Sequence, residues 1–154
     1  MKLLNIGGKE YKLEFTIEAS LYNECTEKTT MLMQQLAEAQ KGGDAKELIK
    51  SIADIPQTTL TMFYAGLLEH HGEEGDGTVI SKKEAKVLVK QYFEEHKEDG
   101  TGNFYDLLGM LMEQMGKDGF FGQIGLTQGA KQAEKTGKVP QDHKKKTTAK
   151  ATGK

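Results

Sequence analysis

The sequence predicts a mostly α-helical protein with an N-terminal β-hairpin, a bundle of four to five amphipathic helices and a disordered C-terminal tail. Three observations predict this fold class. Two short alternating stretches flank a Gly-Gly pair at the start of the chain. Apolar residues then recur at helical spacing as far as residue 115, and the apolar pattern stops after Leu126. We therefore expect one folded helical domain at residues 1–126 and a disordered, lysine-rich tail at residues 127–154.

The chain opens with a predicted β-hairpin whose strands are residues 2–6 and residues 9–15. Gly7 and Gly8 lie between the strands and supply the positive φ angles that a two-residue turn requires. One face of the second strand is apolar and consists of Tyr11, Leu13 and Phe15. An isolated hairpin is marginally stable in water, so this face must lie on a helix or on a strand of another chain. The same three residues are therefore a candidate for self-association beside the open strand edge.

Thr16 is the expected N-cap of a helix that begins at Ile17. The spacing of Ile17, Leu21 and Cys25 places these three residues on one face of that helix. The polar residues 26–30 then interrupt the apolar pattern. Two alternatives stay open for this region, one long helix with a weak middle or two separate helices.

Asp44 is the expected N-cap of the next helix. The apolar face of this helix is formed by Ala45, Leu48, Ile49, Ile52 and Ala53. Pro56 is expected to separate it from a further helix at residues 57–71, because proline removes a backbone donor and clashes with the preceding turn.

Two glycine-rich loops, residues 72–78 and residues 97–102, separate the remaining helices. Ser81 and Glu84 have the spacing of a capping box at the start of one helix. Asn103 is expected to cap the last long helix, which a short apolar segment among glycines follows.

The sequence contains no recognisable catalytic or metal-binding pattern. Cys25 is the only cysteine and lies on an apolar helical face, where a small core residue is the expected role. His70 and His71 are adjacent and point about 100° apart on a helix, so a solvated helix end is expected there. The loops at residues 72–78 and 97–102 lack the acids that a calcium loop carries at its first and last positions. We therefore expect no enzyme, no catalytic residue, no cofactor and no metal site.

The charge is distributed unevenly along the chain. Residues 127–154 contain eight lysines against Glu134 and Asp142, a net charge of +6, so the total of −2 leaves −8 for residues 1–126. The chain has no arginine, the side chain that reads phosphates and guanine edges in two-point contacts. We expect no nucleic acid partner for the acidic body, although a regulator that binds nucleic acid through the basic tail stays an alternative. No membrane partner is expected, because no apolar run approaches the roughly 20 residues of a spanning helix.

A partner-binding surface is expected on the last helix and the segment after it. Three methionines lie close together there, and methionine suits surfaces that accept varied partners. The candidate residues are Phe104, Leu108, Met110, Leu111, Met112, Met115, Phe120 and Phe121. A buried core helix is the competing interpretation, and it is favoured for Leu107, Leu108 and Leu111.

The chain resembles the tail assembly chaperones of long-tailed bacteriophages, particularly those that infect Gram-positive hosts. The opening stretch N-I-G-G-K-E-Y-K-L-E-F-T, residues 5–16, and the helix after it carry the resemblance. Residues 60–68, and the helix at residues 87–93 with the apolar helix that follows, also look like the central region of that family. The likeness covers residues 1 to 126.

This resemblance implies a concrete function in the cytoplasm of the infected host cell. Many copies of a member of the family would bind each long tape-measure protein and keep it soluble. Tail tube subunits would then polymerise around the tape-measure protein and displace the chaperone. It would be absent from the mature virion. A longer product of ribosomal frameshifting would recruit the tail tube protein, and a homo-oligomer is expected. The alternative is a small helical adaptor or regulator inside the cell, and an enzyme is the least favoured interpretation.

Overall fold

The computed structural model describes residues 1–126, apart from the side chains of Glu47 and Leu48. Within these residues it confirms a helical fold with an N-terminal hairpin. The elements follow in the order β1 (Lys2–Ile6), β2 (Lys9–Leu13), α1 (Ile17–Leu21), α2 (Asn23–Gln40), α3 (Ala45–His71), α4 (Lys82–Glu95), α5 (Phe104–Asp118) and α6 (Phe120–Gln123). The disorder predicted for residues 127–154 lies outside the described residues.

The two strands pair in an antiparallel hairpin around Gly7 and Gly8. Both glycines have positive φ angles, 62° and 75°, as the predicted two-residue turn requires. The apolar residues of both strands point to one side and are buried, and they are Leu4, Ile6, Tyr11 and Leu13. The hairpin packs on α3. Of the two supports that the sequence left open for the hairpin, the structure therefore provides a helix of the same chain.

The backbones of β2 and α3 come close together at Gly66. The backbone N–H of Glu14 donates to the Gly66 carbonyl oxygen at 2.8 Å. A Cβ atom added to Gly66 would lie 3.0 Å from Leu13 Cδ1 and 3.1 Å from Phe15 Cζ. Leu13 and Phe15 are both fully buried, so neither ring nor methyl group has room to retreat. Glycine at this position allows the β-hairpin to pack closely on α3.

The first helical region divides at Tyr22, earlier than the polar residues that were expected to interrupt it. Tyr22 adopts an extended conformation with ψ of 92°, which ends α1 and begins α2. The threonines of residues 26–30 lie inside α2, where the hydroxyls of Thr26 and Thr30 donate to the carbonyls of Ser20 and Thr26. These hydrogen bonds give both hydroxyl groups a partner within the chain.

The predicted common face of Ile17, Leu21 and Cys25 is wrong. Because the chain turns at Tyr22, Cys25 is fully buried, whereas Ile17 and Leu21 are 67% and 68% exposed. The helical spacing that relates the three residues does not continue across the break.

The predicted separation of two helices at Pro56 is also wrong. Helix α3 runs without interruption from Ala45 to His71 and contains Pro56 in its interior. An interior proline costs about 3 kcal/mol through its missing N–H and its clash with the preceding turn. Helix α3 as a whole packs against α2, α4 and α5, and tertiary packing of this kind provides most of the stability of a helix.

The later boundaries agree with the sequence. The hydroxyl of Ser81 accepts from the Glu84 backbone N–H while the Glu84 carboxylate accepts from the Ser81 backbone N–H, which completes the predicted capping box of α4. The Asn103 side chain accepts from the Asp106 backbone N–H at 2.9 Å at the start of α5. Gly119 ends α5 in the left-handed conformation with φ of 76°.

Two polar side chains bind the hairpin to the helices. His71 is buried, in contrast to the solvated helix end that was expected, and its Nε2 accepts from the Lys12 backbone N–H at 2.9 Å. Its Nδ1 lies 2.9 Å from an oxygen of Asp76. Asp118, in the last turn of α5, accepts from the Phe15 backbone N–H at 2.9 Å and from the Gln114 amide at 2.8 Å. These contacts occupy backbone donors that β1 leaves unpaired.

We predict that Gly66→Ala and Gly109→Ala change stability in opposite directions. Both positions lie inside helices, where alanine is favoured over glycine by about 1 kcal/mol. Gly109 is exposed with nothing within 4 Å of an added Cβ, so its replacement should stabilise the protein. Overpacking at Gly66 should instead cost about 1–3 kcal/mol. Urea unfolding measures both free energies, and a stabilising Gly66→Ala would contradict the close packing.

We predict that the contribution of Asp118 to stability is lost in acid. Burial raises the pKa of this carboxyl, but hydrogen bonds from the Phe15 backbone, the N-terminal ammonium group and Gln114 lower it more, so the net pKa is below its usual value. A lowered folded-state pKa gives stability that is present above the unfolded pKa of about 3.9 and disappears as the pH falls through the folded value.

The measurement compares the unfolding free energy of the native chain with that of Asp118→Asn between pH 7 and pH 2. At pH 7 the substitution should cost about 2 kcal/mol, because it weakens hydrogen bonds to a charged acceptor. The difference should shrink toward acid. A difference that stays constant with pH would show that the carboxylate charge contributes nothing.

Candidate protein-binding surface

The residues predicted to bind a partner on the last helix lie in or against the core. Leu108, Leu111, Met115 and Phe120 are buried. The other four are partly buried and pack against the core, and they are Phe104, Met110, Met112 and Phe121. This placement favours the core alternative for Leu108 and Leu111, because α3 packs along α5, and the partner-binding role of the eight residues stays a prediction. The ring of Phe120 also contacts the ring of Phe15, which follows strand β2. The two rings meet in an edge-to-face arrangement with their centroids 5.7 Å apart.

The residues suggested for self-association are covered as well. Tyr11, Leu13 and Phe15 are buried beneath the helices of the same chain. The outer edge of β2 is also partly occupied, since the N–H groups of Lys12 and Glu14 donate to His71 and Gly66 of α3. A strand edge whose donors are already bonded is a poor template for another strand.

Four exposed large apolar side chains lie on a helical hairpin, by which we mean residues 33–57. It consists of the second half of α2, the turn at residues 41–44 and the first part of α3. No side chain described in this segment is buried, whereas Leu32 before it and Thr58 after it both are. The core of the domain therefore ends where the helical hairpin begins.

Each helix of the helical hairpin carries an exposed apolar pair at i, i+3 spacing. Met33 and Leu36 of α2 are 38% and 49% exposed, and Ile49 and Ile52 of α3 are 67% and 58% exposed. Residues three apart lie on the same face of a helix. An apolar helical face normally packs on a core, and exposed apolar groups that cluster mark interaction sites. The net charge of residues 33–57 is −1, from four acidic residues and three lysines.

A groove adjoins the base of the helical hairpin, between α3, α4 and α5. Its volume is about 270 Å³. The apolar lining residues are Pro56, Leu60, Val89, Phe93 and Phe104. The rings of Phe93 and Phe104 meet edge to face with centroids 4.9 Å apart. Phe104 is therefore one predicted partner-binding residue that does lie on an open apolar feature.

The two lysines beside this groove differ from their neighbour Lys82. Lys86 and Lys90 line the groove and are exposed, and among the described residues no carboxylate forms an ion pair with either. Lys82, one turn earlier on α4, contacts both oxygens of Glu24 at 2.6 and 2.7 Å. Hydrogen bonds from Lys82 and Tyr22 lower the pKa of Glu24, so this pair is a structural link between α4 and α2.

The buried thiol shows no sign of an activated nucleophile. Burial raises the pKa of Cys25 to about 12, and its sulfur lies 4.0 Å from the Thr29 hydroxyl. A nucleophilic cysteine needs a lowered pKa, so Cys25 has the core role that the sequence indicates.

Two further features of residues 1–126 concern metal ions and membranes. No group of three or more His, Cys, Asp or Glu side chains there is arranged to hold a metal ion. None of the helices described combines the length and apolar character needed to cross a bilayer.

Comparison of the chain with protein-family models, with curated proteins and with solved structures found no match.

Proposed function

We propose that this protein is a bacteriophage tail assembly chaperone that binds the tape-measure protein in the host cytoplasm and does no chemistry of its own. The observation that carries this proposal is the helical hairpin, residues 33–57, with Met33, Leu36, Ile49 and Ile52 exposed beyond the core. A chaperone of this class needs apolar helical surface that is open in the free protein and covered in the complex. The likeness of residues 5–16 to the family supports the same proposal.

The energy available from the helical hairpin suits a reversible contact. Burying a large apolar side chain completely is worth about 1.5–3 kcal/mol, and each of these four side chains is already partly covered. About 1 kcal/mol from each gives about 4 kcal/mol in total before the cost of association, so a single contact of this size is weak. Many weak sites along one elongated client would bind through avidity, yet each could be displaced singly by the tail tube protein.

The charge of the body suits the same role. Residues 1–126 carry a net charge of −8, and a charged body favours the solubility of a client coated with it. A homo-oligomer formed on the client, displacement before the virion matures and recruitment of the tail tube protein by a longer frameshifted product belong to the proposal. A gene directly upstream of a very long, helix-rich gene would distinguish this role from that of a general adaptor.

We predict that charging the helical hairpin abolishes client solubilisation. The test co-expresses the tape-measure protein with the native chain or with Leu36→Glu, Ile49→Glu, and measures soluble tape-measure protein. Ile17→Glu, Leu21→Glu is the matched control, because these side chains are 67% and 68% exposed on α1, outside both the helical hairpin and the groove. The native chain and the control should raise solubility several-fold, and the double variant should not.

Circular dichroism and urea unfolding should show that the double variant remains folded, since both substituted side chains are exposed. Substituting Leu108 instead would test folding, because Leu108 is buried. If the folded double variant solubilises the tape-measure protein as well as the native chain does, the helical hairpin is not the client site.

A further inference from the structure

We propose that the groove between α3, α4 and α5 binds an amphipathic helix of a partner protein whose apolar face is bordered by glutamate or aspartate. The proposal deepens the proposed function by giving the chemistry of the client segment, and it rests on that function for the identity of the client. It concerns a surface distinct from the exposed pairs of the helical hairpin.

The size and lining of the groove favour a protein side-chain ligand. Its volume of about 270 Å³ is below the range of about 300–1,000 Å³ that is usual for small-molecule and cofactor sites. Pro56, Leu60 and Phe104 offer apolar contacts, and Gln57 is the uncharged polar residue of the lining. Cofactor sites need several converging polar groups, whereas a helix in a groove is held mainly by apolar anchors.

The length of the groove matches two helical turns. Along α4 the lining of the groove extends from Lys86 to Phe93. These two residues are seven positions apart in sequence, which corresponds to about 10 Å of helix. A partner helix lying along α4 would place residues i, i+3 or i+4, and i+7 over this distance. Two or three apolar anchors, such as leucines, would contact Leu60 and the Phe93 and Phe104 rings.

The charge at the edge of the groove selects an acidic border. Lys86 and Lys90 are one turn apart on α4, exposed and without an ion-pair partner among the described residues. Glutamates spaced one turn apart on a partner helix could meet both ammonium groups.

The same charges argue against the chain's own tail as the occupant. Residues 127–154 carry +6, so Lys86 and Lys90 repel them. A second copy of the chain is the other possible occupant, and the experiment below distinguishes it from a foreign helix.

The experiment measures fluorescence anisotropy of two labelled synthetic helical peptides with the full chain. Both peptides carry leucines at i, i+4 and i+7, and they differ only in having glutamate or lysine at the flanking positions. The glutamate peptide should bind about tenfold more tightly than the lysine peptide at low salt, and the preference should weaken at high salt. Equal binding of both peptides, or binding of neither, overturns the proposal.

The double variant Lys86→Glu, Lys90→Glu tests whether the peptides bind in the groove. It should reverse the preference between the two peptides. The control variant is Lys12→Glu, Lys97→Glu, which makes an equal charge change at exposed positions outside the groove. This control should preserve the preference for the glutamate peptide. An unchanged preference in the groove variant overturns the assigned site. A rise in glutamate-peptide binding after removal of residues 127–154 would show that the tail occupies the groove, which also overturns the proposal.

Sedimentation equilibrium tests the second copy. The proposal is wrong if the native chain is a dimer, the groove variant is a monomer and neither peptide binds. These results would mean that the groove joins two copies of this chain. The peptides replace the client, so the two proposals can fail separately. If the peptides bind as predicted but co-expression does not solubilise the tape-measure protein, the chaperone function is rejected and the groove assignment stands. The opposite pair of results would reject only the groove.

Discussion

Strand β2 lies directly against α3 at Gly66, where the Glu14 backbone donates to the Gly66 carbonyl and the Leu13 and Phe15 side chains fill the space beside the missing Cβ. This contact fixes the hairpin on the helices and brings Phe15 against Phe120. Phe120, in the segment after α5, is thereby enclosed, whereas the apolar face of α5 itself packs along α3. The area of α3 that the β-hairpin covers is not open to a partner.

The result is a molecule with two unlike parts. Buried residues at Leu32 and Thr58 mark the end of the core on α2 and α3, and the helices continue past that point as the helical hairpin. A helix pair beyond the core has few buried contacts of its own, and such regions open most easily. Apolar pairs placed there can adapt to a client without disturbing the core. The groove at the base, with Phe104 and the two unpaired lysines, lies where the two parts meet.

Local signals in the sequence predicted much of this fold. The Gly7-Gly8 turn, the Ser81 capping box and the Asn103 cap depend on neighbouring residues, and each was placed correctly. Helix α3 continues through Pro56, which the local pattern does not predict. The apolar surface could not be placed from local signals either. A stripe such as Leu108, Leu111 and Met115 looks alike whether a partner or α3 of the same chain covers it, and only the tertiary contacts decide. The exposed pairs of the helical hairpin were visible as apolar spacing, but nothing local indicated that the core ends before them.

The most direct test of the account is amide hydrogen exchange of the chain alone and in complex with the tape-measure protein. In the free protein, residues 33–57 should exchange faster than residues 58–71 of the same helix, because the core covers only the latter. In the complex, residues 33–57 should gain protection while residues 107–118 stay as they were. Protection that appears only in residues 107–118, or none at all in residues 33–57, would contradict a client site on the helical hairpin.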